Sequence, residues 1–161
     1  DPITNAGNQR MLDYVLEAQL AHAAARSTGV CLAMVELNEL PSIRNSMGRR
    51  IADEILISLH RRLRRSIRPT DSISRVDDDC FAIVMQHTNM DDFKFSALER
   101  ILAGINQRPF KTETGDLNMT GAIGVHYFRG DQDVLSKDDI QRRARQKLKI
   151  AHEQDAQKIA F

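Results

Sequence analysis

Apolar residues along the chain recur at two periods that trade places, one helical and one extended. Leu12, Val15, Leu16, Leu20 and Ala23 step by threes and fours behind Asn8, which predicts an amphipathic helix capped by that asparagine. Val30 to Leu37 is nearly all apolar and reads as a buried strand. Ile51, Ile55, Leu59 and Leu63 repeat every fourth residue, widened by Ala52 and Leu56, and predict a long amphipathic helix to about Ile67. Ser72 to Val76 then alternates as a strand should, and Phe81 to Met85 is a short buried-strand run, so the two form a hairpin. Asn89 is placed to cap a helix carrying Phe95, Leu98, Leu102 and Ile105. Leu117, Met119, Gly121, Ile123, Val125 and Tyr127 alternate as one face of a strand. Ser136 with Asp139 has capping-box spacing before a helix holding Ile140, Ala144, Leu148 and Ala151, and Lys158 to Phe161 is strand-like. Helices alternating with strands, one pair of them an antiparallel hairpin, predict an α/β (α+β) domain in which helices pack on a sheet.

Composition narrows this to one ordinary domain over residues 1–161. The chain has 161 residues, 42% hydrophobic and 28% charged, enough to bury a core without a staple. No apolar run reaches membrane-spanning length and no signal peptide opens the chain, so membrane insertion is not expected. Cys31 and Cys80 form neither a disulfide framework nor a metal pattern, which favours a reducing cytoplasm. The abrupt start at Asp1 and the stop at Phe161 are expected of a domain excised from a larger multidomain protein. Net charge is +1, too balanced to imply nucleic acid. Arg61, Arg62, Arg64, Arg65 and Arg68 form a basic run, with Arg49 and Arg50 upstream, but no aromatics interleave for base stacking. Arg61, Arg65 and Arg68 share one predicted helix face, read as solvated. His22, His60, His87, His126 and His152 lack metal-ligand spacing.

The chemistry concentrates in Arg75-Val76-Asp77-Asp78-Asp79-Cys80-Phe81. A two-residue hairpin turn wants glycine or asparagine, because both central residues need positive φ. Asp77-Asp78 is an awkward turn by that rule, and the tip carries three consecutive carboxylates.

This stretch resembles the signature hairpin of the GGDEF family of diguanylate cyclases, Arg-x-Gly-Gly-Asp-Glu-Phe. Arg75, Asp79 and Phe81 match; Asp77 and Asp78 replace the glycines, and Cys80 replaces the glutamate. The resemblance runs the length of the chain. Asp1 to Arg10 resembles the family's opening Asp-x-Leu-Thr-Gly-Leu-x-Asn-Arg-Arg, and Glu36-Leu37-Asn38-Glu39-Leu40 stands at Asp-hydrophobic-Asp-x-Phe. Ile43 to Asp53 resembles Ile-Asn-Asp-x-x-Gly-His-x-x-Gly-Asp, and Ala144 to Ala151 resembles the closing helix. The family fold implied is a mixed, mainly antiparallel sheet of about five strands wrapped by helices, similar to the palm of nucleotide cyclases.

In an intact member two GTP molecules meet, each on its own protomer, with divalent metal spreading the triphosphate charge. By resemblance the metal ligands fall at Glu36, the carbonyl of Leu37 and Asp79, and the second metal-proximal acid is lost at Cys80, where a neutral thiol suits a hard cation poorly. The family glycines admit phosphate to backbone amides, whereas Asp77 and Asp78 add bulk and charge. Each such carboxylate beside a phosphate costs on the order of a few kcal/mol at an effective dielectric of about 20. The guanine-reading asparagine is Arg44, which has no acceptor, while the guanine-reading aspartate survives as Asp53. A phosphate-contacting lysine falls at His152. These departures imply a catalytically inactive domain with no cofactor, and Mg²⁺ only where residual GTP binding survives.

Arg68-Pro69-Thr70-Asp71 resembles the Arg-x-x-Asp inhibitory site at which many family members bind cyclic di-GMP, so Arg68 and Asp71 are a candidate site for that ligand; Asp71 as a turn cap is the plainer reading. The function implied is a regulatory or docking module in bacterial cyclic di-GMP signalling. Its expected partners are an adjacent EAL domain, as in dual GGDEF–EAL proteins of the FimX type, or a second copy. A cyclic di-GMP receptor, or a GTP-binding domain without turnover, are the alternatives.

Overall fold

The computed structural model describes residues 1–87, 95–154 and 158–161. The elements in chain order are α1 (Gln9–Arg26), β1 (Gly29–Leu37), α2 (Leu40–Met47), α3 (Arg49–Ser66), β2 (Ser72–Arg75), β3 (Phe81–His87), α4 (Phe95–Asn106), β4 (Phe110–Thr112), β5 (Gly115–Leu117), β6 (Gly121–Arg129), α5 (Lys137–Glu153) and β7 (Ile159–Ala160). Two helix starts follow from their caps. The Asn8 side chain accepts the Met11 N–H at 3.0 Å, and Ser136 with Asp139 forms a reciprocal capping box. Asn89 and the side chain of Phe95 lie outside the described residues.

One five-stranded sheet, ordered β2-β3-β1-β6-β7, forms the middle of the molecule. β1 is antiparallel to both β3 and β6, and only β6 with β7 is parallel, so the sheet is mixed and mainly antiparallel. Both faces of β1 are covered, which is why its sequence lacks polar alternation. Cys31, Ala33 and Val35 face a layer with Ile55, Leu59 and Leu63 of α3 and Leu98, Ile101 and Ile105 of α4. Leu32 and Met34 face the opposite layer, with Leu12 and Leu16 of α1 and Ala144 and Leu148 of α5. Each fully buried Leu or Ile contributes about 1.5–3 kcal/mol relative to exposure. Gly124 sets how closely α5 lies on β6: a Cβ there would stand 2.1 Å from the Leu148 nitrogen and 2.4 Å from the Ala144 oxygen. That close seat brings the last turn of α5 over the end of β1.

Three expectations are corrected. The strand read through Leu117 to Tyr127 is broken, because Leu117 ends β5 in a separate two-stranded hairpin with β4 and the main-sheet strand starts at Gly121. Between them Thr120 is tied to the start of α2, its N–H donating to Glu39 Oε1 at 2.7 Å and its carbonyl accepting from the Asn38 N–H at 2.9 Å. Alternation reports which face a residue takes and is blind to a change of partner strand. The hairpin turn is also longer than two residues: the Val76 N–H donates to the Cys80 carbonyl at 3.0 Å, leaving Asp77 to Asp79 as a three-residue tip. Among the described residues only Asn5 and Ser27 are non-glycine with positive φ, so the aspartates sit there without left-handed backbone. Finally, Arg68 does not extend the helix face of Arg61 and Arg65. α3 stops at Ser66 and Ile67 is extended, two residues before Pro69.

Candidate functional site

Four segments distant in sequence meet at the hairpin tip: the end of β1, α2, the β2–β3 turn and the last turn of α5. Beside them an open cleft of about 610 Å³ is lined by Glu36 of β1, Arg49 of α3, Arg75 and the tip aspartates, with Asp1 at one side. Three adjacent carboxylates on a short turn repel one another; arginines from two helices pair with Asp79 and Asp77, and Arg75 of β2 ties the turn's backbone. Arg44 on α2 holds Asp79 through both terminal nitrogens, one at 2.9 Å to Oδ2 and the other on Oδ1. Arg145 on α5 pairs with Asp77. Arg75 donates to the Asp78 carbonyl at 2.7 and 3.2 Å and reaches Asp1 Oδ2 at 3.3 Å.

The Arg44–Asp79 contact is the centre of this arrangement. A guanidinium fork matches a carboxylate in a plane, and such bidentate pairs are the stronger class of ion pair. The side chains are only 29% and 19% exposed. Hydrogen bonding to Asp79 raises the Arg44 pKa further, against the opposing effect of burial and with help from the charges of Asp79, Asp78 and Asp53.

Glu36 is taken in the same way. His152 bridges it at 2.9 Å through Nε2, while Nδ1 lies 2.6 Å from Asn38 Oδ1. Cys80 does not reach the cleft. It is fully buried in the layer with α1 and α5, its Sγ 3.8 Å from the Phe81 carbonyl. Burial, then the nearby Glu36 charge, raises its pKa, so the thiol stays protonated at neutral pH. Asp53, in the first turns of α3, lies within electrostatic reach of Arg44 and has Arg49 at 4.0 Å. Leu37 lies opposite Gly121 at the end of β1.

These donors do not fit a divalent cation. Both oxygens of Asp79 hold a guanidinium, the Glu36 carboxylate holds an imidazole, and the remaining position is an apolar thiol. Among the described residues no group of three His, Cys, Asp or Glu is arranged to hold a metal ion.

Arg68 and Asp71 lie at the far end of β2 from the tip. The Asp71 carboxylate is 4% exposed and accepts the Arg68 N–H at 2.8 Å and its guanidinium at 3.0 and 3.4 Å. Arg68 also donates to the Gln86 carbonyl at 2.6 Å, and Arg64 donates to the carbonyls of Arg68 and Asp71. Asp71 therefore caps the turn into β2, with both oxygens occupied.

The sequence brought Glu36, Arg44, Asp79 and His152 to one site, and the structure does bring them together in two pairs. It adds Asn38 and Arg145. Asn38 carried a signal, since it stands where the resembled motif has its second aspartate; Arg145 carried none beyond its place on the helix.

The profile of the GGDEF domain of diguanylate cyclases matches residues 1–158, and the chain belongs to that family. The diguanylate cyclase DgcP of Pseudomonas aeruginosa is 26% identical over 132 residues, which is 82% of this chain and 20% of that protein. The chain thus spans about a fifth of the length of that relative. The GGDEF domain of FimX from Pseudomonas aeruginosa shares the fold with a TM-score of 0.89 at 23% identity, over 99% of this chain and 96% of that one. The GGDEF domain of DgcB from Caulobacter crescentus, solved in complex with c-di-GMP, aligns with a TM-score of 0.85 at 20% identity, over 99% and 93% of the two chains.

Proposed function

We propose that this is a catalytically silent GGDEF domain, a regulatory and interaction module in bacterial cyclic di-GMP signalling. The observation that carries the reading is the bidentate grip of Arg44 on Asp79. A cation supplied by the chain itself stands on the carboxylate that the family uses for metal, and it comes from the position the family uses to read guanine. His152 on Glu36 and the burial of Cys80 support the same reading. The tip aspartates support it too, since they put negative charge where triphosphate would lie.

A domain of this kind works through contacts rather than turnover. Its partners are an adjoining EAL domain or a second copy of the chain. Cyclic di-GMP is a weaker candidate, because Asp71 would have to release Arg68 before it could accept from a guanine. The test is incubation of the purified domain with GTP and either Mg²⁺ or Mn²⁺, with chromatographic detection of cyclic di-GMP. No product is expected with either metal, and sustained turnover with one of them overturns the reading.

A further inference from the structure

A second and larger cleft, of about 980 Å³, runs between α3, the C-terminal half of α4 and the segment leading into β4. Its charge is one-sided. Arg61, Arg65, Arg100, Arg108 and Lys111 line it, all exposed, together with the half-buried Arg62. The single acid on its rim, Glu54, already accepts the Glu113 N–H at 3.1 Å. Among the described residues, Arg61, Arg65, Arg108 and Lys111 form no ion pair.

Arg62 builds the wall. Its guanidinium donates to the carbonyls of Arg108 at 2.7 Å, Pro109 at 2.6 Å and Gly104 at 3.2 Å, and lies 3.6 Å over the Phe110 ring. These partners are neutral, so its charge stays uncompensated in the cleft. Burial first, then repulsion from Arg108 and Arg65, lowers the Arg62 pKa, as crowded like charges do. Arg100 is held in place by donating Nε to the Ser66 carbonyl at 3.2 Å.

We propose that this cleft is a binding site for a small polyphosphorylated anion. Guanidinium forks pair bidentately with phosphate oxygens, and several unpaired forks converging on one concavity suit adjacent phosphates better than a lone carboxylate. The ring nearest the cleft, Phe110, is fully buried beneath Arg62. No base is stacked there, and recognition is of phosphates rather than of a nucleobase. Ala103, Gly104 and Pro109 leave room on the opposite side.

The probe is inorganic tripolyphosphate, titrated calorimetrically into the 161-residue chain without metal. Saturable one-to-one binding is expected, weakening steeply with salt. The double variant Arg61→Ala/Arg65→Ala removes two exposed side chains and leaves the Arg62 wall, so it should fold as the parent does by circular dichroism and bind at least tenfold more weakly. Lys111→Ala should weaken binding less. GTP should bind no more tightly than tripolyphosphate and lose its affinity in the same double variant. A flat titration, or binding unchanged in the double variant, overturns the site. So does a single-stranded oligonucleotide that binds where tripolyphosphate does not. Binding that survives the double variant but is lost in Arg44→Ala would instead place the anion at the hairpin tip, and would contradict the silent-domain reading as well.

Discussion

The cleft at the hairpin tip and the cleft between α3 and α4 are both crowded with ionised side chains, and they resolve the crowding in opposite ways. At the tip, Asp79, Glu36 and Asp77 are paired with Arg44, His152 and Arg145, partners contributed by two different helices. In the α3–α4 cleft, arginines surround one another, and the best-placed of them, Arg62, is satisfied only by backbone carbonyls and a ring. A near-neutral chain has thus paired its carboxylates at the hairpin tip and left an excess of positive charge elsewhere. Internal pairing closes a site to external ions, because a ligand must displace a partner held at high effective concentration. Unpaired like charge opens one, because an anion relieves repulsion already present in the fold.

The comparison breaks most severely at Arg62. Arg62→Ala removes the donor shared by carbonyls around the end of α4 and uncovers Phe110, and should lower stability by about 2–3 kcal/mol. Urea denaturation measures this, and a loss below about 0.5 kcal/mol would show that the wall is decorative.

Arg44→Ala tests the opposite cleft and should have a smaller effect. The pair is partly solvated, so its removal should cost about 1 kcal/mol, left by an Asp79 with no cation. Asp79→Asn should cost a similar amount, and the double variant should be non-additive, as a coupled pair requires. Strict additivity would mean that the contact carries no energy.

A weaker test concerns pH. His60 stacks on Phe81 beneath the hairpin, with ring centroids 5.9 Å apart, and burial lowers its pKa below the usual 6.5. The unfolded chain therefore binds this proton more readily. The stabilisation is full above about pH 6.5 and is lost as the pH falls toward the depressed folded value. The urea midpoint should decline from pH 7 to pH 5, and His60→Asn should flatten that decline.

The smallest effect sharpens the edge of the tip cleft. Cys31 and Cys80 are fully buried, and burial raises both thiol pKa values. Neither should react with Ellman's reagent in the native state at pH 8, and both should react in urea. Rapid native labelling of Cys80 would place it in the cleft rather than under it.

Most of the fold was legible from periodicity, because β1, α1, α3 and α5 each bury one continuous apolar stripe or run. The break at Asn118 to Thr120 was not, since alternation persists while the chain changes sheets. At the site, residue types were legible and pairings were not. Arg44 and Asp79 are 35 positions apart, Arg145 and Asp77 are 68 apart, and His152 and Glu36 are 116 apart. Only the tertiary fold decides that Arg44 holds Asp79 instead of facing solvent. The same limit applies within one helix turn: Arg61, Arg62 and Arg65 are alike in sequence, yet only Arg62 is stapled.

The most direct measurement is a Mn²⁺ titration followed by water-proton relaxation, run on the parent domain and on Asp79→Asn. If Arg44 and His152 occupy the carboxylates as described, the parent shows no saturable enhancement through the millimolar range and the variant is indistinguishable from it. A saturable enhancement in the parent that Asp79→Asn abolishes would show that the carboxylate is open to metal, and would contradict the account.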